Sequence, residues 1–225
     1  MISLYSGTPG SGKSLHIGRR IYYGLKRGRK IVGNFDINYD LFKKPVQYDY
    51  IDNLQLNPDI LGVISREYFI NKYGEKILRD GTRTGSPKRV KEDEILLVID
   101  ECQLLFNSRE WQKGSRAKWL EFFTQHRKYG YEIVLVAQFD GMIDKQIRSL
   151  IEYQVIHRKV KNFGTWGFIF NTLALGGLFV EVNMWYPLGE RLGAEFFKAD
   201  SKIFKLYDSY KFFADPDPVG EKKGN

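Results

Sequence analysis

The run Gly7-Thr8-Pro9-Gly10-Ser11-Gly12-Lys13-Ser14 fits the pattern G-x-x-x-x-G-K-[ST], and each residue type in it has a chemical task. Gly7, Gly10 and Gly12 let the backbone wrap tightly enough for successive N–H groups to point at a polyphosphate. The Lys13 ammonium would reach the β- and γ-phosphates, and the Ser14 hydroxyl would ligate Mg2+. With Leu15, which follows directly, these residues form the expected nucleotide-binding set for ATP. A second concentration of chemistry lies at Asp100-Glu101, behind the apolar run Ile95-Leu96-Leu97-Val98-Ile99. Asp100 would hold Mg2+ through a water, and Glu101 would activate the attacking water as general base. Gln138 closes a later apolar run, where a polar side chain can reach the γ-phosphate or the water; it also fits an ordinary strand-end position.

Hydrolysis further benefits from an arginine that neutralises transition-state charge, often one supplied by a neighbouring subunit. Arg109, Arg116, Arg127 and Arg148 are the candidates, and any single one fits a surface ion-pair residue better. The histidines, His16, His126 and His157, lack metal-ligand spacing. Between Glu75 and Lys91 the chain carries Lys76, Arg79, Arg83, Lys88, Arg89 and Lys91, opposed only by Glu75 and Asp80. That basic loop suits either a mobile solvated segment or contact with nucleic-acid phosphates, single-stranded DNA included.

The elements that must position these groups alternate in type. Met1–Tyr5 is a short apolar run before the glycine loop. Leu15, Gly18, Tyr22 and Leu25 then share one helical face, and Gly28 ends that helix. Lys30–Asn34 reads as a second strand, and Pro58–Tyr73 as a helix capped by Asn57 with proline at its first position. Ile95–Ile99 has the continuous apolar character of a strand covered on both faces of a parallel sheet. A helix from a Ser115 cap through Tyr129, a strand over Glu132–Ala137, a helix near Ile143–Ile151 and a strand around Tyr153–Lys161 follow. This alternation predicts a mostly parallel central sheet flanked by helices, an α/β P-loop NTPase domain over residues 1–213. Within it a β-hairpin appendage is expected over 162–190, pairing Trp166–Leu175 with Leu178–Tyr186 about Gly176-Gly177. Residues 214–225 read as a flexible tail.

At 225 residues, with 43% hydrophobic and 15% aromatic content, the chain can bury one sizeable core. Its 35 Lys and Arg against 27 Asp and Glu leave a net charge of +8, suited to phosphates, nucleic acid or an anionic membrane face. Cys102 is the single cysteine, which excludes an intrachain disulfide or a cysteine zinc cluster and fits a reducing compartment. The glycine loop begins almost at once, leaving no room for a signal peptide. The span Trp166–Tyr186 is interrupted by Asn171, Gly176, Gly177, Glu181 and Asn183, so no transmembrane segment is expected.

Asp100-Glu101-Cys102-Gln103, then Arg109, Trp111, Gln125-His126-Arg127-Lys128-Tyr129-Gly130 and Ile133-Val134-Leu135-Val136-Ala137-Gln138, together resemble the zonular occludens toxin family, the assembly ATPases of filamentous bacteriophages. Phe139–Tyr153 and the Asn34 strand end share the likeness, which covers about residues 1–213. The resemblance implies an additional-strand ATPase with a catalytic glutamate, and it assigns Lys13, Ser14, Asp100, Glu101 and Gln138 the roles already given. It further implies a location in the host cytoplasm, and with the basic excess it points to the inner face of the membrane. There it would work with phage and host membrane assembly proteins to extrude single-stranded DNA as virions assemble. A motor that acts repeatedly on a strand, with no arginine fixed by motif in its site, is expected to be a homo-oligomer. Family members usually continue through a transmembrane helix into an extracytoplasmic domain; this chain reaches Asn225 without either, implying a shortened chain or a separate membrane partner. Toxin-like activity attributed to that outer part does not carry over.

Two other classes remain open on the residues alone. Thymidine-type kinases also join a phosphate loop to an aspartate-glutamate-x-glutamine box, though they commonly carry a cysteine zinc site that one cysteine cannot build. A nucleotide-dependent scaffold that barely turns over is the other.

Overall fold

Every side chain of Ile95–Ile99 is buried, and alternate residues face opposite cores. Ile95, Leu97 and Ile99 join one hydrophobic cluster, while Leu96 and Val98 join the other. This is the period-two geometry of a strand sandwiched between two helical layers. The computed structural model describes residues 1–107, 113–162, 165, 172, 177–198 and 200–207. It contains β1 (Ile2–Ser6), α1 (Lys13–Lys26), β2 (Lys30–Gly33), β3 (Tyr48–Tyr50), α2 (Pro58–Tyr73), β4 (Glu75–Ile77) and β5 (Arg83–Pro87). These are followed by β6 (Ile95–Ile99), α3 (Lys113–Gln125), β7 (Tyr131–Val136), α4 (Lys145–Arg148), β8 (Tyr153–Lys159), β9 (Leu178–Trp185), β10 (Glu190–Lys198) and α5 (Ser201–Phe204).

The main sheet has the order β10-β9-β8-β1-β7-β6-β2-β3. Strands β3, β2, β6, β7, β1 and β8 are mutually parallel, and β9 and β10 extend the edge antiparallel. Strand β7 therefore stands between β1, which leads into the glycine loop, and β6, which ends at Asp100. That interposed strand is the additional-strand arrangement expected from the sequence. One face is covered by α1 and α5 through Leu15, Ile17, Ile21, Leu25 and Ile203. The other is covered by α2, α3 and α4 through Leu61, Phe69, Trp119, Phe122, Phe123 and Ile147. Each large apolar side chain withdrawn from water in this way contributes about 1.5–3 kcal/mol.

Helix α2 forms as its signals require, with Asn57 Oδ1 accepting the Ile60 N–H at 3.0 Å and Pro58 in its first turn. Several sequence expectations change. Ser115 is not an N-cap, because α3 is already helical at Lys113; its last turn tightens to 3-10 geometry over His126–Tyr129 before Gly130. The basic segment is not loop throughout but contains an antiparallel pair, β4 with β5, separate from the main sheet. The expected hairpin is repartnered: β9 matches its second strand, yet β9 has β8 along one edge and β10 along the other. The expected first strand, Trp166–Leu175, lies outside the described residues except for Thr172, which is helical. Strands β9 and β10 continue the main sheet rather than forming an appendage. Residues 214–225 lie outside the described residues.

Candidate nucleotide-binding site

The loop between β1 and α1 is shaped by glycines that no other residue could replace. Gly7 has φ +146°, and a Cβ there would fall 2.5 Å from the His157 carbonyl oxygen and 2.6 Å from Ser11 Oγ. Gly12 sits at the N-cap of α1 with φ 99° and supplies no side-chain acceptor. The N–H groups of the first turn, from Lys13 onward, are thus left without an intrahelical or capping partner. Together with the helix dipole they make an open positive end suited to phosphate.

Lys13 Nζ bends back to donate to the carbonyls of Gly7 at 2.5 Å and Thr8 at 3.2 Å. Burial lowers its pKa, while Asp100 and then Glu101 pull the other way. The ammonium thus lies in the field of both carboxylates, which reach it from across the interposed β7. Leu15 is 3% exposed and sends its side chain into the core, so only its backbone belongs to the loop. Ser11 Oγ is buried with no hydrogen-bond partner among the described residues.

Asp100 is held by its backbone and by its burial. Asn34 Oδ1 accepts the Asp100 N–H at 2.6 Å, and Asn34 Nδ2 donates to the Asp100 carbonyl at 2.8 Å and to Asn53 Oδ1 at 2.6 Å. Burial pushes the Asp100 carboxyl up to about 6, against the opposing pull of the Glu101 N–H, which donates to Asp100 Oδ1 at 2.9 Å. Glu101 itself adopts a left-handed φ of 46° and exposes its carboxylate. Non-glycine residues held in that conformation store strain, a recurrent feature of active sites. The donor set fits Mg2+: a hydroxyl at Ser14 and a carboxylate at Asp100 are hard oxygen ligands, and a divalent ion beside Asp100 would offset the penalty of its buried charge.

Gln138 follows β7, and its carbonyl accepts the Gly7 N–H at 3.2 Å. Its side chain lines an open cleft of about 510 Å3 with Gly7, Thr8, Gln154, Arg158 and Lys159. The two cations at the end of β8 carried no motif and are visible as loop neighbours only in the fold.

The arginine candidates are dispersed. Arg116 pairs with Asp144 at 3.0 Å, and Arg127 pairs with Glu152 at 3.2 Å. Glu152 also accepts the Ile2 N–H, so Arg127 lies at the start of β1, the end of the strand away from the loop. Arg148 lies beside the Tyr186 hydroxyl, and Arg109 is outside the described residues. No motif announces Arg20, which donates to Tyr5 Oη at 2.8 Å and pairs closely with Glu132. Arg29 completes that buried cluster, 2.7 Å from Glu132. Through it the face of α1 behind Lys13 is fixed to β1 and β7.

Although the histidines lack metal-ligand spacing along the chain, the fold brings His16 of α1 and His157 of β8 together with Glu181 of β9. Burial, then the neighbouring His16, holds His157 down at about 4. His126 packs in the core instead, its Nδ1 2.6 Å from the Phe123 carbonyl.

A strand, glycine loop and helix, set beside a second strand ending in Asp100-Glu101 with one strand between them, define an additional-strand P-loop NTPase. The chain belongs to the zonular occludens toxin (Zot) family, whose model matches residues 1–212. It is 27% identical to the Gene 1 protein of Enterobacteria phage M13 over 152 residues, covering 68% of this chain and 40% of that protein. The Gene 1 protein of Enterobacteria phage I2-2 is 23% identical over 159 residues, covering 69% and 39% respectively. The match thus spans about 40% of the length of these curated relatives. Among solved structures, the N-terminal domain of zonular occludens toxin from Neisseria meningitidis superposes with a TM-score of 0.50 at 17% identity, covering 92% of this chain and 98% of that one. The conjugation coupling protein TcpA of pCW3, solved with ATPγS, gives 0.52 at 18% identity over 88% of this chain and 60% of that one. These likenesses establish the fold.

Proposed function

We propose that this chain is the ATP-hydrolysing part of a filamentous-phage assembly machine, coupling Mg-ATP hydrolysis to virion assembly and extrusion of single-stranded DNA through the host membrane. The observation that carries this reading is the convergence of Lys13, Asp100 and Glu101 around an uncapped helix N-terminus, in a chain of the Zot family. Bound Mg2+ would neutralise charge on the β- and γ-phosphates. The loop N–H groups cradle the phosphates, and Lys13 moves from its loop carbonyls to the β/γ oxygens. Ser14 and Asp100 would hold the metal, Asn34 fixes the Asp100 backbone, and Glu101 takes the proton of the attacking water. Gln138, tied to the loop through Gly7, reports the state of the γ-phosphate to β7.

The enzyme acts as a homo-oligomer: an extrusion motor needs a ring or comparable assembly to act repeatedly on a strand, and Arg116 and Arg127 are held by Asp144 and Glu152 rather than by their own loop. It works at the inner face of the membrane with phage and host partners; among the described residues no helix is long and apolar enough to cross a membrane. In infected cells, Lys13→Ala is expected to stop release of particles while phage DNA continues to accumulate. Normal particle yield from that variant would reject the assembly role.

A further inference from the structure

Behind the phosphate loop, three electron-pair donors from separate elements converge. His16 Nδ1 on α1 lies 2.8 Å from His157 Nε2 on β8 and 2.9 Å from Glu181 Oε2 on β9. The three ligand atoms all fall within 4.8 Å of one another. The other nitrogen of His157, Nδ1, faces the Ser6 carbonyl at 3.2 Å. A carbonyl can only accept, so Nδ1 carries the proton and Nε2 turns a lone pair inward. The Glu181 carboxylate is acceptor-only as well, and His16 Nδ1 can offer one hydrogen at most. A single proton therefore serves two short contacts among three acceptors. A cation in their midst removes that shortage.

We propose that His16, His157 and Glu181 form a binding site for a zinc-type divalent transition-metal ion, distinct from the Mg-nucleotide site. Two imidazoles and a carboxylate are a recurrent zinc ligand set, with water completing a tetrahedron. Such an ion, with bonds of about 2.0 Å, spaces its ligand atoms about 3.3 Å apart, so each of the two short contacts at His16 Nδ1 needs to open by only about 0.5 Å. The Ser6 carbonyl supplies the outer-shell contact that orients a metal-bound histidine. An approach exists, because the His16 and Glu181 side chains retain 17% and 12% exposure while His157 is enclosed. Tyr5 stacks on His16 at 4.7 Å, and Phe197 closes the other side at 5.5 Å. The ion would bolt α1, β8 and β9 together. His157 is also the residue whose carbonyl backs Gly7, so occupancy stiffens the seat of the phosphate loop. This inference rests on the geometry of the three side chains and not on the nucleotide reading.

The test uses the untagged, metal-free full chain, titrated with Co2+ followed by visible absorption and with Zn2+ followed by calorimetry. Wild type is expected to bind one ion with a tetrahedral Co2+ spectrum, and Zn2+ to raise its melting temperature by mass action. Asp100→Asn retains that binding, whereas Glu181→Gln weakens it by about 10- to 100-fold or more, as loss of a ligand or its support does. Absence of binding and of any thermal shift in wild type overturns the proposal. So does binding that Glu181→Gln leaves intact, or that Asp100→Asn abolishes.

Discussion

The Asn34 carboxamide grips the peptide of Asp100 at both ends, accepting its N–H at 2.6 Å and donating to its carbonyl at 2.8 Å. The Asp100-Glu101 pair is thereby registered against the end of β2 as well as β6. Asn34→Ala leaves both peptide groups without a partner in a half-buried position, at a cost of about 2 kcal/mol for the two bonds. It is expected to lower kcat more than nucleotide affinity, because the contact sets the aim of Asp100 and Glu101. Denaturant unfolding and steady-state kinetics together check this; unchanged kcat would separate Asn34 from the chemistry.

The Arg20–Glu132–Arg29 cluster makes stability depend on acid. Burial favours the neutral form of Glu132, but the charges and hydrogen bonds of Arg20 and Arg29 prevail and hold its pKa below the ordinary 4.5. A depressed carboxylate contributes stability that is complete above its ordinary pKa and is lost as pH falls through the folded value. Glu132→Gln is expected to cost about 2–3 kcal/mol at neutral pH, below the range for a fully enclosed pair because the arginines are partly exposed. The wild-type advantage shrinks on acidification below about pH 4.5. Urea melts of both proteins across that window measure it, and parallel curves would contradict the assignment.

Assembly is testable through the arginines. Self-association is expected to increase with ATP, and mixing an arginine variant with Lys13→Ala restores hydrolysis if that arginine serves a neighbour's site. Arg127→Ala is expected to behave as wild type, since its guanidinium is committed to Glu152 away from the loop. Rescue by none of Arg109, Arg116 and Arg148, with a monomer at every ATP concentration, would reject a shared site.

The β4–β5 pair and the segments that join and follow it display Lys76, Arg79, Arg83, Lys88, Arg89 and Lys91 on exposed positions. Contact between these cations and DNA phosphates must weaken steeply with salt, because each neutralised phosphate releases a counterion. Neutralising Arg83, Lys88 and Arg89 together is expected to flatten the salt dependence of single-stranded DNA binding by about two to three units. An unchanged slope would remove this surface from any DNA path.

The sequence made the phosphate loop legible because its chemistry is contiguous, from Gly7 to Ser14. The Ile95–Asp100 strand was legible because a strand covered on both faces must be apolar throughout. What escaped depends on residues far apart in the chain. Asn34 and Asp100 are separated by 66 positions, and His16 and His157 by 141. Spacing rules for metal ligands see only local segments, so His16, His157 and Glu181 looked unrelated. The hairpin assignment went astray for a similar reason. The pattern of Leu178–Tyr186 identifies a strand, but its partners are chosen by the free edge of β8 and by β10, not by the nearest glycine turn.

The central claim is that Glu101, poised at a left-handed φ beside Asp100, is the base that activates water for ATP hydrolysis. The most direct measurement compares Glu101→Gln with wild type in Mg-ATP binding and in single-turnover hydrolysis. The account predicts binding as tight as wild type with hydrolysis slowed about 10²-fold or more. Hydrolysis by Glu101→Gln at the wild-type rate would contradict it.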